Sequence, residues 1–391
     1  MRIAIIGQKG IPATYGGVEK HVEELSIRLA KAGHEVLVYT RRNYTPSSLN
    51  EYKHVKLISL PSIATKHLDA ISHTFLACLD VLRRQPDVVH FHSIGPSSLI
   101  WLLRLLKPSL PVVATFHSQC YLHQKWGGLA KLYLKFGEAM TCYLPDATIA
   151  ISQVLERYAD KKYGARAEYI PNGVQTLAVK ETNEIEKWEL RPGNYIVTVS
   201  RLIRHKGIHH LIKAFNSLKT DKKLVVVGDG SYTEDYVQEL YVLAKDNPNI
   251  IFTGTQTGAA LAQLFANACL FVQPSESEGL SISLLEAMSF GLPVLVSDIP
   301  ENIEAVSRFG HTFKNRNSRD LSDKLAAILK RPRQLKQRAQ TNKLRVDRLY
   351  NWDAIAEKVI GVYMQSIMKK KMDIRKLSHL QLAKKLFSFI F

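Results

Sequence analysis

Cysteine is scarce. Four residues in 391, Cys78, Cys120, Cys142 and Cys269, are scattered with no C-x-x-C pair and no metal-ligand spacing. That pattern excludes a disulfide scaffold and a zinc ribbon, and it fits small buried hydrophobes in a reducing cytoplasm. Long hydrophobic runs are also missing. The longest, near Leu99 to Leu103, is cut by Arg104, so no segment reads as a membrane-spanning helix. The opening run Ile3 to Ile6 stops at Gly7, too short for a signal-peptide core and the length of a buried strand. No low-complexity tract, no short repeat and no G-x-G-x-x-G dinucleotide fingerprint occurs, and no two aspartates are separated by a single residue.

What is present is a globular composition, 46% hydrophobic and 23% charged, in a chain long enough for two α/β domains. The charge is one-sided: 53 Lys and Arg face 35 Asp and Glu, a formal net charge of +18. Such an excess suits nucleic acid, an anionic membrane surface or a phosphorylated substrate. It is concentrated toward the end of the chain, and no nucleic-acid-binding motif accompanies it, so no nucleic acid is expected as partner.

The first third alternates strands and helices. Ile3 to Ile6 reads as a buried strand, Gly7 to Gly17 as a glycine-rich loop, and Val18 to Ala32 as a helix with Val22, Leu25 and Leu29 on one face. Glu35 to Tyr39, Val88 to Phe91, Pro111 to Phe116 and Ala147 to Ile151 continue as strands. A polar segment from Pro171 to Gly193 reads as a linker. The alternation then restarts with Tyr195 to Val199, Leu224 to Val227, Ile250 to Phe252, Leu270 to Gln273 and Val294 to Val296. The predicted fold class is α/β, with two doubly wound parallel sheets facing across a cleft at the carboxyl ends of their strands. The predicted division is residues 1–170, residues 171–351, and C-terminal helices over 352–391 that return to the first domain.

Several positions carry chemistry. Gly16-Gly17 lies between the first strand and the first helix, where backbone amides can approach an anion or simply make a tight turn. His117 follows a strand and is placed at the cleft. Arg201 ends another strand and Lys206-Gly207 precedes a helix, a pair of cations suited to a diphosphate. In Pro274 to Met288, Glu278 and Glu286 stand eight residues apart, about 12 Å on a continuous helix. Gly279 places Glu278 in a loop instead, with the helix starting near Ser281 and Glu286 in its second turn. Glu286 sits among Leu284, Leu285, Ala287 and Met288, which argues against a merely exposed role, and a carboxylate suits a ribose diol.

Together, Glu278-x7-Glu286, Ser200-Arg201-Leu202 with Lys206-Gly207, the Gly-Gly loop and Ile170-Pro171-Asn172-Gly173-Val174 resemble the retaining glycosyltransferases of family 4, also called group 1, over nearly the whole chain to about Gln365. Gln8 to Glu19 and Lys125-Trp126-Gly127 are similar to its rhamnosyltransferase-like subgroup. The resemblance implies the GT-B fold, a nucleotide-sugar donor, and transfer to a saccharide or polyprenyl-linked acceptor in cell-surface polysaccharide or glycan biosynthesis. It implies that Arg201 and Lys206 hold the donor diphosphate, that Glu286 binds the ribose, and that Glu278 and His117 contact the transferred sugar. Gly16 and Gly17 would line the cleft beside the phosphates, and Gly279, Leu280 and Ser281 would complete the donor site. No metal and no cofactor is implied. Leu280-Ser281 stands where many relatives have Phe-Gly, and Ser118 follows His117 where Gly or Asp is common, so donor identity is open. A sugar-nucleotide epimerase or hydrolase of the same fold is the alternative.

The tail opens with Lys369-Lys370-Lys371 and repeats Leu377, Leu380, Ala383, Phe387 and Ile390 at helical spacing among Arg375, Lys376, Lys384 and Lys385. This predicts an amphipathic helix on an anionic bilayer, hence a peripheral position on the inner face of the cell membrane. Lys125 to Phe136 has similar character, and its apolar residues are expected to pack on the first domain.

Overall fold

The computed structural model describes residues 1–122, 126–175, 179, 181–230 and 233–387, with side chains as far as residue 373. Two parallel sheets organise the chain. The first contains β1 (Arg2–Ile6), β2 (Glu35–Arg41), β3 (Glu51–Tyr52), β4 (Val55–Leu60), β5 (Val88–His92), β6 (Val112–Phe116), β7 (Ala147–Ala150) and β8 (Glu168–Tyr169). Its spatial order is β3-β4-β2-β1-β5-β6-β7-β8, and only the β3–β4 pair is antiparallel. The second contains β9 (Tyr195–Val199), β10 (Lys223–Val227), β11 (Ile250–Gly254), β12 (Leu270–Gln273), β13 (Val294–Ser297) and β14 (His311–Phe313), in the order β11-β10-β9-β12-β13-β14.

Strand β1 shows why the sequence folds this way. Ile3 and Ile5 pack on one face with Val22, Leu25 and Leu29 of the helix Gly17–Lys31. Ala4 and Ile6 pack on the other with Ala77, Val81 and Leu103. A strand covered on both faces has no polar side to present, so it reads as a continuous apolar run. The last helix, Trp352–Phe387, crosses back to the first domain, where Trp352, Ile355, Val359 and Tyr363 join the Ile3 and Val22 cluster.

Strand order reverses between β1 and β5 in the first sheet and between β9 and β12 in the second. A ligand crevice opens at such a point, beyond the carboxyl ends of the strands. The expected strands are all present. The short β3, β4, β8 and β14 are additional, because strands of two to six residues carry little periodicity of their own. The segment expected to be a polar linker is only partly one. Ile185 and Leu190 are buried, and Val174 pairs with Asn351.

The helix Gly128–Tyr143 departs from expectation. It buries Leu134, Gly137, Glu138, Thr141 and Cys142, but Leu129, Leu132 and Phe136 are 86%, 66% and 46% exposed. Periodicity shows that a helix has an apolar stripe without showing which way the stripe faces. This helix is held instead by its small residues: a side chain at Gly137 would collide with the Ile94 carbonyl at 2.0 Å. Lys125 lies outside the described residues, as do the side chains of the predicted amphipathic tail from residue 374 onward. No described helix is long and apolar enough to cross a membrane. The four cysteines are free, with Cys78 and Cys142 buried.

Candidate active site

A cavity of about 920 Å³ lies between the two sheets. It is lined by Gly16, Gly17, His117, Arg201, Lys206, Glu278, Gly279, Leu280, Ser281 and Glu286, every position singled out in the sequence. Topology explains the convergence. The Gly-Gly loop follows β1, His117 follows β6, Arg201 and Lys206 follow β9, and Glu278 to Ser281 follow β12. All four loops leave the carboxyl end of a strand, and β9 and β12 flank the second switch point.

The loop after β12 delivers three functions in a few residues. Glu278 lies in the loop, its Oε1 2.6 Å from Lys206 Nζ. At Gly279 the loop passes so close to the first domain that a Cβ would stand 1.8 Å from the His117 carbonyl oxygen, so only glycine fits. Ser281 then caps the helix Ile282–Ser289, its Oγ accepting from the Leu284 amide at 3.3 Å. The opening turn of that helix, with its unpaired amides, faces the cavity.

Glu286, one turn further on, lines the cavity rather than solvent. Burial pushes its carboxyl up to about 7; Lys20 opposes the rise and Glu24 adds to it. Lys20 is itself partly desolvated but is held charged by Glu24, 2.8 Å away. Glu276, two residues before Glu278, is not available to replace it. Its carboxylate is turned away to Arg316 at 2.8 Å and His210 at 3.5 Å.

The cations are differently engaged. Lys206 is spent on Glu278, whereas Arg201 has no ion pair among the described residues. Lys9 lines the cavity as well; burial lowers its pKa, and Arg41 and Arg201 lower it further against the pull of Glu19. The glycine loop is braced rather than loose. Glu19 accepts from the Lys9 amide at 3.0 Å and Glu23 from the Ala13 amide at 2.8 Å. Gly16 takes φ +102°, and a Cβ there would meet the Glu19 carboxylate at 2.0 Å.

His117 is buried, and its Nε2 lies 2.9 Å from Nδ1 of His92. Burial first, and the neighbouring histidines second, hold both imidazoles neutral. Two groups among the described residues have the donor types to hold a metal: His21, His92 and His117, and His209, His210 and Glu276. In the first, His21 Nδ1 pairs with Asn172 and His92 Nδ1 with His117 Nε2, while Nε2 of His21 and of His92 are buried without a partner. In the second, Glu276 is paired with Arg316 and His209 with Tyr236. Lys9, Lys20, His21, His92 and Asn172 were not singled out as site residues. Lys9 and Asn172 lie inside the motifs quoted above, and Lys20 and His21 follow the Gly-Gly pair by one helical turn.

Comparison with known proteins agrees with this architecture. The family model described as Glycosyltransferase Family 4 matches residues 15–176, and that described as Glycosyl transferases group 1 matches residues 180–345. Alpha-monoglucosyldiacylglycerol synthase of Streptococcus pneumoniae is 27% identical over 80% of this chain and 75% of its own length. Phosphatidyl-myo-inositol mannosyltransferase of Mycobacterium leprae is 26% identical, covering 89% of this chain and 92% of its own. Among solved structures, Anabaena HepE in complex with UDP-glucose superposes with a TM-score of 0.78 at 18% identity, over 93% of this chain and 100% of the other. The two family models follow one another along the chain and take in most of both sheets and of the cavity between them, and the chain belongs to the group 1, family 4 glycosyltransferases of GT-B fold.

Proposed function

We propose that this enzyme transfers a sugar from a nucleoside diphosphate sugar to a hydroxyl of a saccharide or lipid-linked saccharide, with retention and without a metal, in the synthesis of a cell-surface polysaccharide or glycan. The observation that carries the reading is the convergence of Arg201, Lys206, Glu278 and Glu286 on one interdomain cavity beside a helix N-terminus. That set matches a donor part by part. Arg201, Lys206 and the amides of the helix Ile282–Ser289 take the diphosphate, Glu286 takes the ribose, and Glu278 and His117 take the sugar. The neighbour solved with UDP-glucose supports this class of donor.

In the transfer, the bond from the anomeric carbon to the diphosphate oxygen breaks. The acceptor oxygen bonds to that carbon from the same side, and its proton passes to the departing phosphate. The protein stabilises the charge gathering on the diphosphate and holds the reactants together. Glu278 stabilises the positive charge at the anomeric carbon.

The acceptor is placed at an anionic membrane surface. No Asp or Glu occurs between Asp87 and Glu138, while Arg104, Lys107, Lys125, Lys131 and Lys135 fall in that interval. On the helix Gly128–Tyr143 the exposed Leu129, Leu132, Phe136 and Tyr143 form one stripe beside Lys131 and Lys135. An apolar stripe flanked by lysines suits a bilayer interface. Two relatives are named for lipids, a diacylglycerol glycoside and phosphatidyl-myo-inositol.

The test is a thermal-shift screen against nucleoside diphosphates and their sugars, followed by product analysis with and without acceptor. A ligand that raises the melting point identifies the donor by mass action. Conversion of the donor to another free sugar nucleotide without acceptor would identify an epimerase instead.

A further inference from the structure

Asn172 ties three separate parts of the site together. It is buried where the chain crosses between domains, and its side-chain amide is used at both ends. Nδ2 donates to the Leu280 carbonyl at 2.7 Å, and Oδ1 lies 2.8 Å from Nδ1 of His21. Leu280 belongs to the loop that carries Glu278 and leads into the Ser281 cap. His21 stands in the second turn of the helix Gly17–Lys31, directly behind the Gly-Gly loop.

The protons can be assigned along this chain. A backbone carbonyl only accepts, so the Asn172 NH₂ must face Leu280 and its oxygen must face His21. That oxygen also only accepts, so His21 Nδ1 carries the hydrogen and donates it. His21 is neutral, its pKa lowered to about 4 by burial against the opposing pull of Asn172. Its single proton is therefore on Nδ1, and Nε2 is bare. Consistent with that, His21 Nε2 is buried without a hydrogen-bond partner. The rings of His117 and Trp352 pack edge-on against the His21 ring, with centroids 4.9 and 5.4 Å away.

The surroundings make the arrangement rigid. The Val174 amide donates to Tyr350 at 2.7 Å, pairing the two interdomain crossings beside Asn172. A Cβ on Gly173 would meet the Trp352 ring at 2.4 Å. Gly279 lies against the His117 carbonyl on the other side of the same loop.

We infer that Asn172 is a positioning residue: through His21 Nδ1–H and the Leu280 carbonyl it holds the Glu278-to-Ser281 loop against the first domain in the arrangement needed for sugar transfer. The role rests on the glycosyltransferase reading above. The nucleotide end of the site, at Glu286, lies further along the helix and does not depend on this chain of bonds.

The experiment compares Asn172→Ala, His21→Asn and His21→Gln in the full-length protein. An asparagine amide places its donor near the position of imidazole Nδ1, and a glutamine amide places it near Nε2. Glutamine is the closer match to histidine in volume. The expected order is therefore the reverse of a packing order. His21→Asn stays within about threefold of wild type, whereas His21→Gln and Asn172→Ala lose about five- to tenfold in kcat, the effect of one or two buried hydrogen bonds. Affinity for uridine diphosphate, used as the probe of the nucleotide end, changes by less than about twofold. Glutamine outperforming asparagine, or kinetics unchanged in Asn172→Ala beside a lowered melting point, would leave Asn172 as packing only and overturn the inference. Nitrogen-15 spectra of histidine-labelled protein, with His21 assigned by its loss in His21→Asn, read the proton directly. An Nδ1–H tautomer supports the chain of bonds, and an Nε2–H tautomer breaks it. Because the spectra need no substrate, absence of any nucleoside-diphosphate binding by the wild type would count against the enzyme reading alone.

Discussion

Lys206 and Glu278 form an ion pair of 2.6 Å that joins the loop after β9 to the loop after β12, across the point where the strand order reverses. Both side chains are largely withdrawn from solvent at the cavity wall, so neither charge is idle. The cation assigned to the donor diphosphate and the carboxylate assigned to the sugar are thus partners before the donor arrives. Donor binding has to share Lys206 between a carboxylate and a phosphate, and the two residues cannot be read independently.

The two phosphate cations are therefore expected to fail unequally. Arg201→Ala removes a cation with no ion-pair partner among the described residues, and transfer slows by about 10²–10³ as for one lost transition-state contact. Lys206→Ala also leaves Glu278 unpaired beside the incoming phosphate, so nucleoside diphosphate affinity falls further than in Arg201→Ala. Glu278→Gln does the opposite. It frees Lys206, so diphosphate affinity holds or rises while the turnover number drops. Glu276→Gln, whose carboxylate faces Arg316 and His210, leaves the kinetics near wild type. Titration calorimetry with the nucleoside diphosphate, beside steady-state kinetics, separates these four. Equal loss of affinity in Lys206→Ala and Glu278→Gln would show that the pair does not compete with phosphate.

Much of this was legible in the sequence because its signals are local. Glycine after a strand, cations before a helix and a Ser cap before Ile282 each declare themselves within a few residues, and topology then brings them together. The cross-domain partners were less legible. Lys20 faces Glu286, and His21 reaches Leu280 through Asn172, over separations that no spacing rule covers. The outward stripe of the helix Gly128–Tyr143 was misjudged for a related reason: burial is decided by what the rest of the fold brings alongside, here Ile94 against Gly137.

Excess chelator is expected to leave transfer intact. A metal bridging the diphosphate would have to compete with Lys206 for Glu278, which Lys206 already pairs at 2.6 Å, and burial raises the Glu286 carboxyl to about 7. Loss of activity that magnesium or manganese restores would overturn the metal-free mechanism.

Membrane binding is expected to depend on two separate features. Leu132→Glu with Phe136→Glu puts charge on the exposed stripe, where neither side chain supports the core. Sedimentation with vesicles containing anionic lipid should fall, with the melting point unchanged. Removing residues from Lys369 onward, or raising the salt concentration, should weaken the same binding. Lys370 also pairs with Asp146 at 3.1 Å, so a lower melting point on truncation would assign that stretch to packing instead.

Glu286 gives the clearest pH signature. Its carboxyl is raised from 4.5 to about 7 chiefly by burial, so the folded protein holds this proton more tightly than the unfolded chain. The stability it lends is complete below about pH 4.5 and is lost as the pH rises through 7. Glu286→Gln carries no such proton. Relative to wild type, its melting point should therefore improve from pH 5 to pH 7 and hold steady above pH 8. Function should run the other way. A ribose diol donates its two hydroxyl hydrogens best to an ionised carboxylate, so wild-type affinity for the nucleoside diphosphate should strengthen between pH 6 and pH 8 as Glu286 ionises opposite Lys20. The phosphate's own second ionisation falls in the same range, but the Gln variant shares it. The difference between the two titration curves isolates Glu286. Because the ribose does not react, Glu286→Gln should mainly raise the donor Michaelis constant, with a smaller change in turnover number. A variant that is more stable at pH 8, binds the nucleotide more weakly there, and matches wild type at pH 5 would fix Glu286 as the ribose contact. Parallel pH curves for variant and wild type would remove it from that role.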